Sequence, residues 1–523
     1  MEGVIRWNDA SGFRSYDAID SPARSRAVQQ SNYAAMNAAL MARSSLPPAL
    51  IVNGTEYFGS DEAIACLRHR LSRGRRNITL ATIGGSISAG STFTVAQGEA
   101  AQFLYHERVA QGLRALPRIS GRVRVVTHNA ALPATGPEYF ERCIDSRLPP
   151  GGADLILVEF SINMDRRTRM RGGQAPAFER LLRRLLALRP RPAIVVVSSH
   201  VWLSASPASG ELERGRCFRH PARTDEPLMH SVSQRAIQQW SDVAHGGDED
   251  GVAALCRHYG VPLVSMRAAL LDAVRRDASP LTRIEAFMWD CKHPNHLGHA
   301  YLGQLVLHRL QLTQLWSAAS ASRAAGEVNG ACDEAARPKP LPPAMSREGN
   351  AQTATSTCLH GDALRGLLLN GSEAPFEFEY EELNAQGAYK PGFAGARVGQ
   401  RAAFCLPLPA RRAGVRTRLT LNVVYLQSWA PLMGRALFTC RGACACAPMT
   451  VDARRTDFKA SVNAIASLPL TSLPESSSRS GCACSLHTLL VDRTGSSTWT
   501  GGERSRSRFK VMGLTVERAF RST

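Results

Sequence analysis

The chain has 523 residues, 44% of them hydrophobic, so it exceeds one ordinary domain and can bury more than one core. Its formal net charge of +19 would suit a nucleic-acid-binding protein, but five of the 63 basic residues are lysines and the other 58 are arginines spread along the whole chain. The sequence has no basic stripe interleaved with aromatic residues, so we interpret this charge as a compositional bias of the solvated surface and predict no nucleic-acid partner. Attraction to an anionic polysaccharide is the alternative. No apolar run reaches the roughly 18 residues of a membrane span, so we predict no transmembrane segment.

Residues 1–75 precede the first clear strand and are predicted to form a helical extension. Helices are predicted over 31–43 and 60–71, and the second begins with Ser-Asp-Glu, which is typical of a capped helix with an acidic first turn. The N-terminus has neither the basic region nor the apolar core of a signal peptide.

From residue 77 onward, apolar strands alternate with helices. Strands are predicted at 78–83, 123–127, 154–160, 193–198 and 261–264, and helices at 99–116, 137–144, 177–188, 252–258, 267–276 and 297–312. This alternation predicts a parallel sheet covered by helices on both faces, with its site beyond the carboxyl ends of the strands. We assign residues 76–316 to this α/β domain.

The pattern changes in the last third of the chain. Residues 317–357 are rich in Ala, Ser, Pro and charge, which predicts a linker. Beyond it, stretches such as 376–380 and 418–425 alternate between polar and apolar residues, and helical periodicity is nearly absent. Residues 358–523 are therefore predicted to form a separate β-rich, sandwich-like domain.

Eight of the 13 cysteines lie between residues 332 and 484, including a Cys-x3-Cys-x-Cys motif at 440–446 and a Cys-x-Cys motif at 482–484. A zinc site is one interpretation, but Cys-x-Cys lacks the usual two-to-four-residue spacing of zinc ligands. Disulfides are favoured, and they would indicate an oxidising compartment such as the secretory pathway or the extracellular space.

One stretch carries the chemistry of the first domain. Residues 77–90 read Asn-Ile-Thr-Leu-Ala-Thr-Ile-Gly-Gly-Ser-Ile-Ser-Ala-Gly, a buried strand that ends in two glycines, Ser86 and a third glycine. Glycines permit a sharp turn and a close approach of substrate. Ser86 can therefore be a nucleophile if a base and oxyanion donors reach it.

Three later stretches, 128–136, 159–165 and 289–299, fall where a parallel sheet presents its loops and supply those groups. His293 can take the proton of Ser86, and Asp290, three residues earlier, can orient its imidazole. The Asn163 side chain, the Ser86 amide and a backbone amide at Ala134 or Gly136 can stabilise the oxyanion.

Other polar residues of these stretches have plainer interpretations. His296 and His299 compete with His293 for the role of base but lie on or near the following helix. His128 lies at a strand end and is interpreted as a hydrogen-bonded loop or core residue. Glu159 is interpreted as a structurally paired carboxylate.

In order and spacing, Gly84-Gly-Ser-Ile-Ser-Ala-Gly90, the Asn129 loop, Ser161-Ile-Asn163 and Asp290-x-x-His293 resemble the four blocks of the SGNH (GDSL-type) hydrolase superfamily over about residues 77–312. The resemblance implies a flavodoxin-like three-layer α/β/α fold and esterase-type acyl transfer without a metal or organic cofactor. It implies Ser86 as nucleophile, His293 as base, Asp290 as its partner and Asn163 as oxyanion donor.

The chain departs from the family pattern at three places. Gly85 and Met164 stand where the family usually has aspartate, and the glycine expected in the second block falls near Ala134, with Gly136 two residues on. The C-terminal part is loosely similar to the β extension of plant- and alga-type members.

We interpret the chain as a serine esterase that hydrolyses carboxylic esters, on an acetylated glycan or a lipid, through an acyl-enzyme. Two alternatives stay open: an acyltransferase that uses the same triad, and a glycan- or partner-binding protein with a vestigial hydrolase domain.

Overall fold

The computed structural model describes residues 46–72, 77–90, 101–115, 124–164, 174–202, 248–276, 278–279, 282–288, 292–310, 340–346, 355–369, 375–383, 388–408, 418–455, 461–472, 482–492 and 506–519. The chain divides into two compact units. The first comprises Met1–Ala131, Gly151–Ala175 and Leu185–Pro343, and the second comprises Leu132–Pro150, Pro176–Arg184 and Ala344–Thr523. The helix predicted over 31–43 lies outside the described residues.

The described residues up to Leu310 contain five strands and several helices. The strands are β1 (Asn77–Gly84), β2 (Arg124–Asn129), β3 (Leu155–Glu159), β4 (Ala193–Ser198) and β5 (Leu263–Ser265). The helices are α1 (Pro48–Asn53), α2 (Glu62–Ser72), α3 (Ser86–Ala89), α4 (Tyr105–Arg114), α5 (Pro137–Arg147), α6 (Gln174–Ala187), α7 (Glu249–Tyr259), α8 (Met266–Arg275), α9 (Ile284–Phe287) and α10 (His296–Arg309).

These five strands form one parallel sheet of the first unit, in the order β2-β1-β3-β4-β5. This is the strand order of flavodoxin-like folds, and it confirms the predicted α/β class. The central strands β3 and β4 are buried at every position, as expected of parallel strands whose two faces are both covered. The apolar core of this unit surrounds them, with Leu157 and Val195 fully buried.

One predicted helix is broken. Instead of a continuous helix over 99–116, a 3₁₀ turn at Ala101–Phe103 precedes α4, and Leu104 between them has an extended backbone (φ −64°, ψ 144°). The buried imidazole of His299 accepts a hydrogen bond from the backbone N–H of Tyr105 at 3.1 Å. This contact satisfies an otherwise orphaned N–H of the first turn, so a long-range partner fixes where α4 begins.

The second unit contains two antiparallel sheets. Its strands are β6 (Thr355–His360), β7 (Glu377–Leu383), β8 (Ala388–Arg397), β9 (Arg401–Cys405), β10 (Arg418–Gln427), β11 (Arg435–Gly442), β12 (Cys444–Ala445), β13 (Met449–Asp452), β14 (Val462–Ser472), β15 (Cys484–Val491) and β16 (Arg506–Ala519). Seven strands form the larger sheet in the order β12-β14-β10-β16-β8-β7, with β6 also paired to β16, and the smaller sheet has the order β13-β11-β15-β9.

Aromatic side chains join the two sheets. Phe509 of the larger sheet meets Phe438 of the smaller one with ring centroids 5.8 Å apart, and Phe393 meets Phe404 at 5.4 Å. All four rings are nearly or fully buried. Such inward-facing residues make a core between two sheets, which confirms the predicted β-rich, sandwich-like domain.

Disulfides cross-link the second unit. The pairs are Cys143–Cys358, Cys405–Cys482, Cys440–Cys446 and Cys444–Cys484. The disulfide interpretation of the motifs at 440–446 and 482–484 is therefore confirmed. The first pair connects α5 to β6 over 215 residues, and a bond that closes so long a loop restricts the unfolded chain strongly. Within the described ranges, no helix is both long and apolar enough to cross a bilayer.

Candidate active site

Ser86 lies at the first position of α3, directly after β1. The preceding residue, Gly85, has φ −90° and ψ −146°, and Gly90 ends the helix in the left-handed region with φ 75°. Ser86 is only partly buried, whereas Ile87 and Ser88 behind it are buried. The sharp turn thus presents the Ser86 hydroxyl at the carboxyl end of the parallel sheet, where such sheets bind ligands.

The candidate base, His293, is in contact with this serine. The Oγ of Ser86 and the Nε2 of His293 are 2.8 Å apart. His293 lies in a loop closed by an antiparallel bridge between Met288 and Pro294, immediately before α10. Asn295 caps that helix by accepting hydrogen bonds from two backbone N–H groups, and its side-chain NH2 donates to the carbonyl of Ala286. The loop is therefore anchored at both ends, which fixes the position of the imidazole.

Asp290 lies outside the described residues, so its role as partner of His293 stays a prediction. The two competing histidines are accounted for otherwise. Burial lowers the pKa of His296 to about 3 and that of His299 well below its ordinary value, so both imidazoles are neutral. His299 is fully buried and accepts the Tyr105 N–H described above, which is a structural role.

Asn163 ends a 3₁₀ turn, Ser161–Asn163, that follows β3. The Ser161 hydroxyl donates to the carbonyl of Ser199 at 3.0 Å, and Gln174 donates to the backbone carbonyl of Asn163 at 3.0 Å. The turn is thus held from both neighbouring segments. The side-chain amide packs directly against the backbone of Gly85.

The glycine that departs from the family pattern makes this packing possible. A Cβ at Gly85 would lie 2.1 Å from the Oδ1 and 2.7 Å from the Cγ of Asn163. Any side chain at position 85 would therefore displace the Asn163 amide. Gly85 and Asn163 act as a pair, since the missing side chain at one position leaves room for the amide of the other.

The loop of the second block has an unusual backbone. Ala134 has φ 58°, and no other described residue besides glycine has a positive φ. For a residue with a Cβ this conformation costs roughly 1–2 kcal/mol. The backbone N–H of Asn463 donates to the Ala134 carbonyl at 2.8 Å, and its side-chain NH2 donates to the Thr135 hydroxyl at 2.7 Å.

These hydrogen bonds hold the loop without the glycine that the family pattern has at this place. Gly136 has an extended backbone and precedes Pro137, the first residue of α5. Ala134, Gly136 and Asn463 all belong to the second unit. The oxyanion role of Ala134 and Gly136 stays a prediction.

A buried polar network supports α3 from within the first unit. The Ser88 hydroxyl donates to the carboxyl group of Glu159 at 3.2 Å and lies 2.8 Å from the hydroxyl of Tyr105. The Ser88 carbonyl accepts a hydrogen bond from the side chain of Asn129 at 2.9 Å, and His106 Nε2 lies 3.2 Å from it. The helix that carries the nucleophile is thus tied to β3, α4 and β2.

Glu159 is fully buried at the end of β3. Burial raises the pKa of its carboxyl group to about 8, although hydrogen bonds from Ser88 and Gly85 lower it in part. Glu159 is therefore a neutral carboxylic acid near pH 7. The hydrogen bond from Ser88 gives this group the structural pairing that the sequence suggests, and no basic side chain is among the causes of its pKa shift.

Protonation of Glu159 makes the stability of the protein pH-dependent in a defined direction. The unfolded chain releases this proton near the ordinary value of 4.5, whereas the folded protein keeps it to about 8. Between these values the folded state binds more protons, so this group lowers the free energy of unfolding as pH rises, by up to about 1.4 kcal/mol per pH unit. Glu159→Gln, which cannot ionise, should gain stability relative to the parent between pH 5 and 8 in urea denaturation.

Asp61→Asn is a matched control for that measurement. Burial alone would raise the pKa of Asp61, but its ion pairs with Arg68 and Arg309 outweigh this and lower it. Its stabilising contribution is therefore complete above the unfolded pKa, and the difference between Asp61→Asn and the parent should stay constant from pH 5 to 8. A Glu159→Gln difference that is equally constant would show that Glu159 is ionised in the folded protein.

Comparison with known proteins agrees with the fold. No protein-family model matches the sequence, and a search of curated proteins gave no significant match. Among solved structures, the chain is similar to a two-domain esterase (CEX) active on acetylated mannans, with a TM-score of 0.55 at 14% identity over 90% of this chain and 99% of that one. The same esterase co-crystallised with mannopentaose gives a TM-score of 0.54 with the same identity and coverage.

The chain is also similar to a catalytic mutant of Axe2, an acetylxylan esterase from Geobacillus stearothermophilus. That match has a TM-score of 0.28 at 15% identity and covers 45% of this chain and 94% of that one. At these identities the comparisons establish the two-domain architecture, and the activity of this chain has to be argued from its own site.

Several residues that contact or belong to α3 were given no individual role by the sequence, although Ser88 and Asn129 lie within two of the motif blocks. Ser88 stands two positions after Ser86 in the same motif, and this spacing could have placed it behind the nucleophile. Tyr105 and Asn129 contact α3 from other elements. Their positions follow from packing between segments 17 to 41 residues apart, which local sequence patterns do not specify.

Proposed function

We propose that the protein is a serine esterase that hydrolyses carboxylic esters through an acyl-enzyme at Ser86. The observation that supports this most is the 2.8 Å contact between the Ser86 Oγ and the His293 Nε2. A serine hydroxyl becomes a competent nucleophile when a base at this distance can accept its proton. Hydrolysis of an ester by this route consumes only the ester and water, and it needs no oxidant or reductant.

In this proposal His293 takes the Ser86 proton as Oγ attacks the ester carbonyl carbon. The carbonyl oxygen becomes an oxyanion, which the Ser86 backbone N–H and the Asn163 NH2 stabilise, with the Ala134 or Gly136 amide as the further donor that the family resemblance implies. Collapse breaks the bond to the alcohol oxygen, and His293 returns the proton to the departing alcohol. Water, activated by the same base, then releases the acid and regenerates Ser86.

Asp290 is proposed to orient His293 and to stabilise the imidazolium, as its position in the motif implies. The 2.8 Å contact between His293 and Ser86 supports this assignment, because a histidine that acts as base in this position needs a group that orients its ring. The finer relation to plant- and alga-type members, inferred from the C-terminal motifs, stays a prediction.

The substrate is proposed to be an acetylated glycan. The similar two-domain esterase acts on acetylated mannans, and its similarity extends over 90% of this chain, including the β-rich part. A fold shared at 14% identity makes this a proposal about substrate class, since related folds host different substrates.

Two measurements test the proposal. A fluorophosphonate probe should label Ser86 in the folded protein and leave Ser88 unlabelled, as mapped by peptide mass spectrometry. Incubation with acetylated mannan should release free acetate. Failure of the probe to label Ser86 would contradict the esterase and favour a binding protein, whereas transfer of acetyl groups to an added glycan without acetate release would indicate an acyltransferase.

A further inference from the structure

A histidine–carboxylate pair, His200 and Glu249, lies at the carboxyl end of the sheet. His200 follows β4 by two residues, and its Nδ1 is 2.7 Å from the Oε1 of Glu249 in the first turn of α7. The histidine side chain is 15% exposed and the glutamate side chain 6%. Although burial alone would raise the pKa of Glu249, His200 and a backbone N–H outweigh it and lower the pKa, so this group stays a carboxylate.

The imidazole of His200 is fixed from two sides. Glu249 holds it through Nδ1, and the buried indole of Trp202 packs against it edge-on with ring centroids 4.7 Å apart. Among the residues that the structure describes, the Nε2 of His200 has no hydrogen-bond partner. The His200 side chain is partly exposed, and this nitrogen is not among the fully buried polar atoms. A carboxylate on one ring nitrogen fixes the orientation of an imidazole, as it does in histidines that ligate metals, and leaves the other nitrogen available to a ligand.

The strand register places this pair on the same edge as the nucleophile. Gly84 of β1 pairs with Glu159 of β3, and Val158 of β3 pairs with Val196 of β4. The three strands are parallel and adjacent, so the segments after them emerge together, about 5 Å apart per strand. The segment that carries His200 therefore follows a strand roughly two strand spacings from the one before Ser86, and Asn163 lies in the turn after the strand between them.

A direct contact joins the two neighbouring loops. The Ser161 hydroxyl donates to the carbonyl of Ser199, the residue before His200, and the backbone N–H of Asp248 donates to the Ser161 carbonyl. The turn that carries Asn163 and the segment that carries His200 thus form one hydrogen-bonded edge. Backbone segments about 10 Å apart can direct side chains toward different parts of one substrate molecule.

We propose that His200, held by Glu249, binds a hydroxyl group on the alcohol portion of the ester. A hydroxyl suits this position because it both donates and accepts hydrogen bonds. The neutral imidazole that donates Nδ1–H to Glu249 presents a lone pair at Nε2, and the protonated ring presents an N–H there. The inference rests on the proposed esterase function and adds a determinant of selectivity: polyhydroxylated alcohols such as sugars over simple aryl or alkyl alcohols.

The test compares two substrates with His200→Ala and Glu249→Gln. For each enzyme, kcat/KM is measured on acetylated mannan oligosaccharides and on p-nitrophenyl acetate, whose alcohol carries no hydroxyl besides the leaving oxygen. Loss of a hydrogen bond to a substrate hydroxyl should lower the ratio of glycan to aryl-ester kcat/KM about tenfold or more in His200→Ala, mainly through KM. Glu249→Gln should lower it in the same direction, since the imidazole is then less firmly oriented.

His258→Ala is the matched control. This exposed histidine of α7 contacts the carbonyl of Pro343, and its removal should leave the ratio unchanged. Binding is measured separately, by calorimetry of a mannan oligosaccharide with Ser86→Ala and with the Ser86→Ala/His200→Ala double variant. The second variant should bind at least several-fold more weakly.

Two results would overturn the inference. One is an unchanged substrate ratio in His200→Ala, and the other is an equal fall of both activities with equal oligosaccharide binding in the calorimetry. If His200→Ala does not fold, the ratio in Glu249→Gln decides in the same way. Fluorophosphonate labelling of Ser86 in each variant keeps this outcome separate from failure of the esterase proposal itself.

Discussion

Ser86→Ala should lose esterase activity almost completely, with kcat/KM on p-nitrophenyl acetate falling by about 10⁴-fold or more. The reason is the Ser86–His293 contact of 2.8 Å: without the hydroxyl there is no acyl-enzyme, and only the oxyanion donors remain. His293→Ala should cause a loss of similar size. Because the two residues act as one unit, the double variant should be scarcely worse than either single variant.

The fold should survive these changes. Ser86 is partly exposed, so its truncation leaves no large cavity, and the thermal unfolding midpoint should stay within a few degrees of the parent. Ser60→Ala serves as control and should keep full activity, because within the described part of the chain Ser60 is hydrogen-bonded only through its backbone N–H, to the carbonyl of Gly260. An active Ser86→Ala enzyme, or strictly additive losses in the double variant, would refute the Ser86–His293 assignment.

Asn163→Ala should lower kcat by about 10²–10³-fold with little change in KM, the usual cost of removing one oxyanion donor, about 3–4 kcal/mol. The donor acts only when negative charge develops on the ester oxygen, so ground-state binding is spared. Steady-state kinetics on p-nitrophenyl acetate separates kcat from KM in this comparison.

Two companion variants make the Asn163 result specific. Asn163→Asp keeps the shape but replaces the NH2 donor by an acceptor, and it should lose at least as much activity as the alanine variant. Gly85→Ala leaves Asn163 in the sequence but places a methyl group where its amide lies, so it should reduce kcat in the same direction. If Asn163→Ala raises KM and spares kcat, the side chain binds substrate and is not an oxyanion donor.

The α/β part of the fold could be predicted from the sequence because its signals are local. Continuous apolar runs such as 155–159 and 193–198 read as buried parallel strands, and the structure buries every position of both. The same holds for the turn at Ser86, where three glycines within seven residues permit the sharp backbone turn that other residues would resist. The alternating stretches after residue 375 likewise indicated strands with one buried face.

Other features could not be predicted, because each depends on residues far apart in the chain. The break at Leu104 is set by His299, 194 residues away from its partner Tyr105. Helix α5 belongs to the second unit, and a disulfide between residues 215 positions apart connects it to β6 of that unit. The neutral state of Glu159 comes from burial, which a sequence motif does not report.

The sequence by itself determined the parallel α/β class, the β-rich second domain and the candidate residues Ser86, Asn163 and His293. The hydrophobic periodicity, the positions of the glycines and the order of the motifs along the chain are sufficient for these predictions. The tertiary structure alone decided that Ser86 meets His293 and not His296 or His299, that Gly85 makes room for Asn163, and that Glu249 orients His200. The physical reason is that hydrogen bonds and close packing act over about 3–4 Å in space, whatever the separation in sequence.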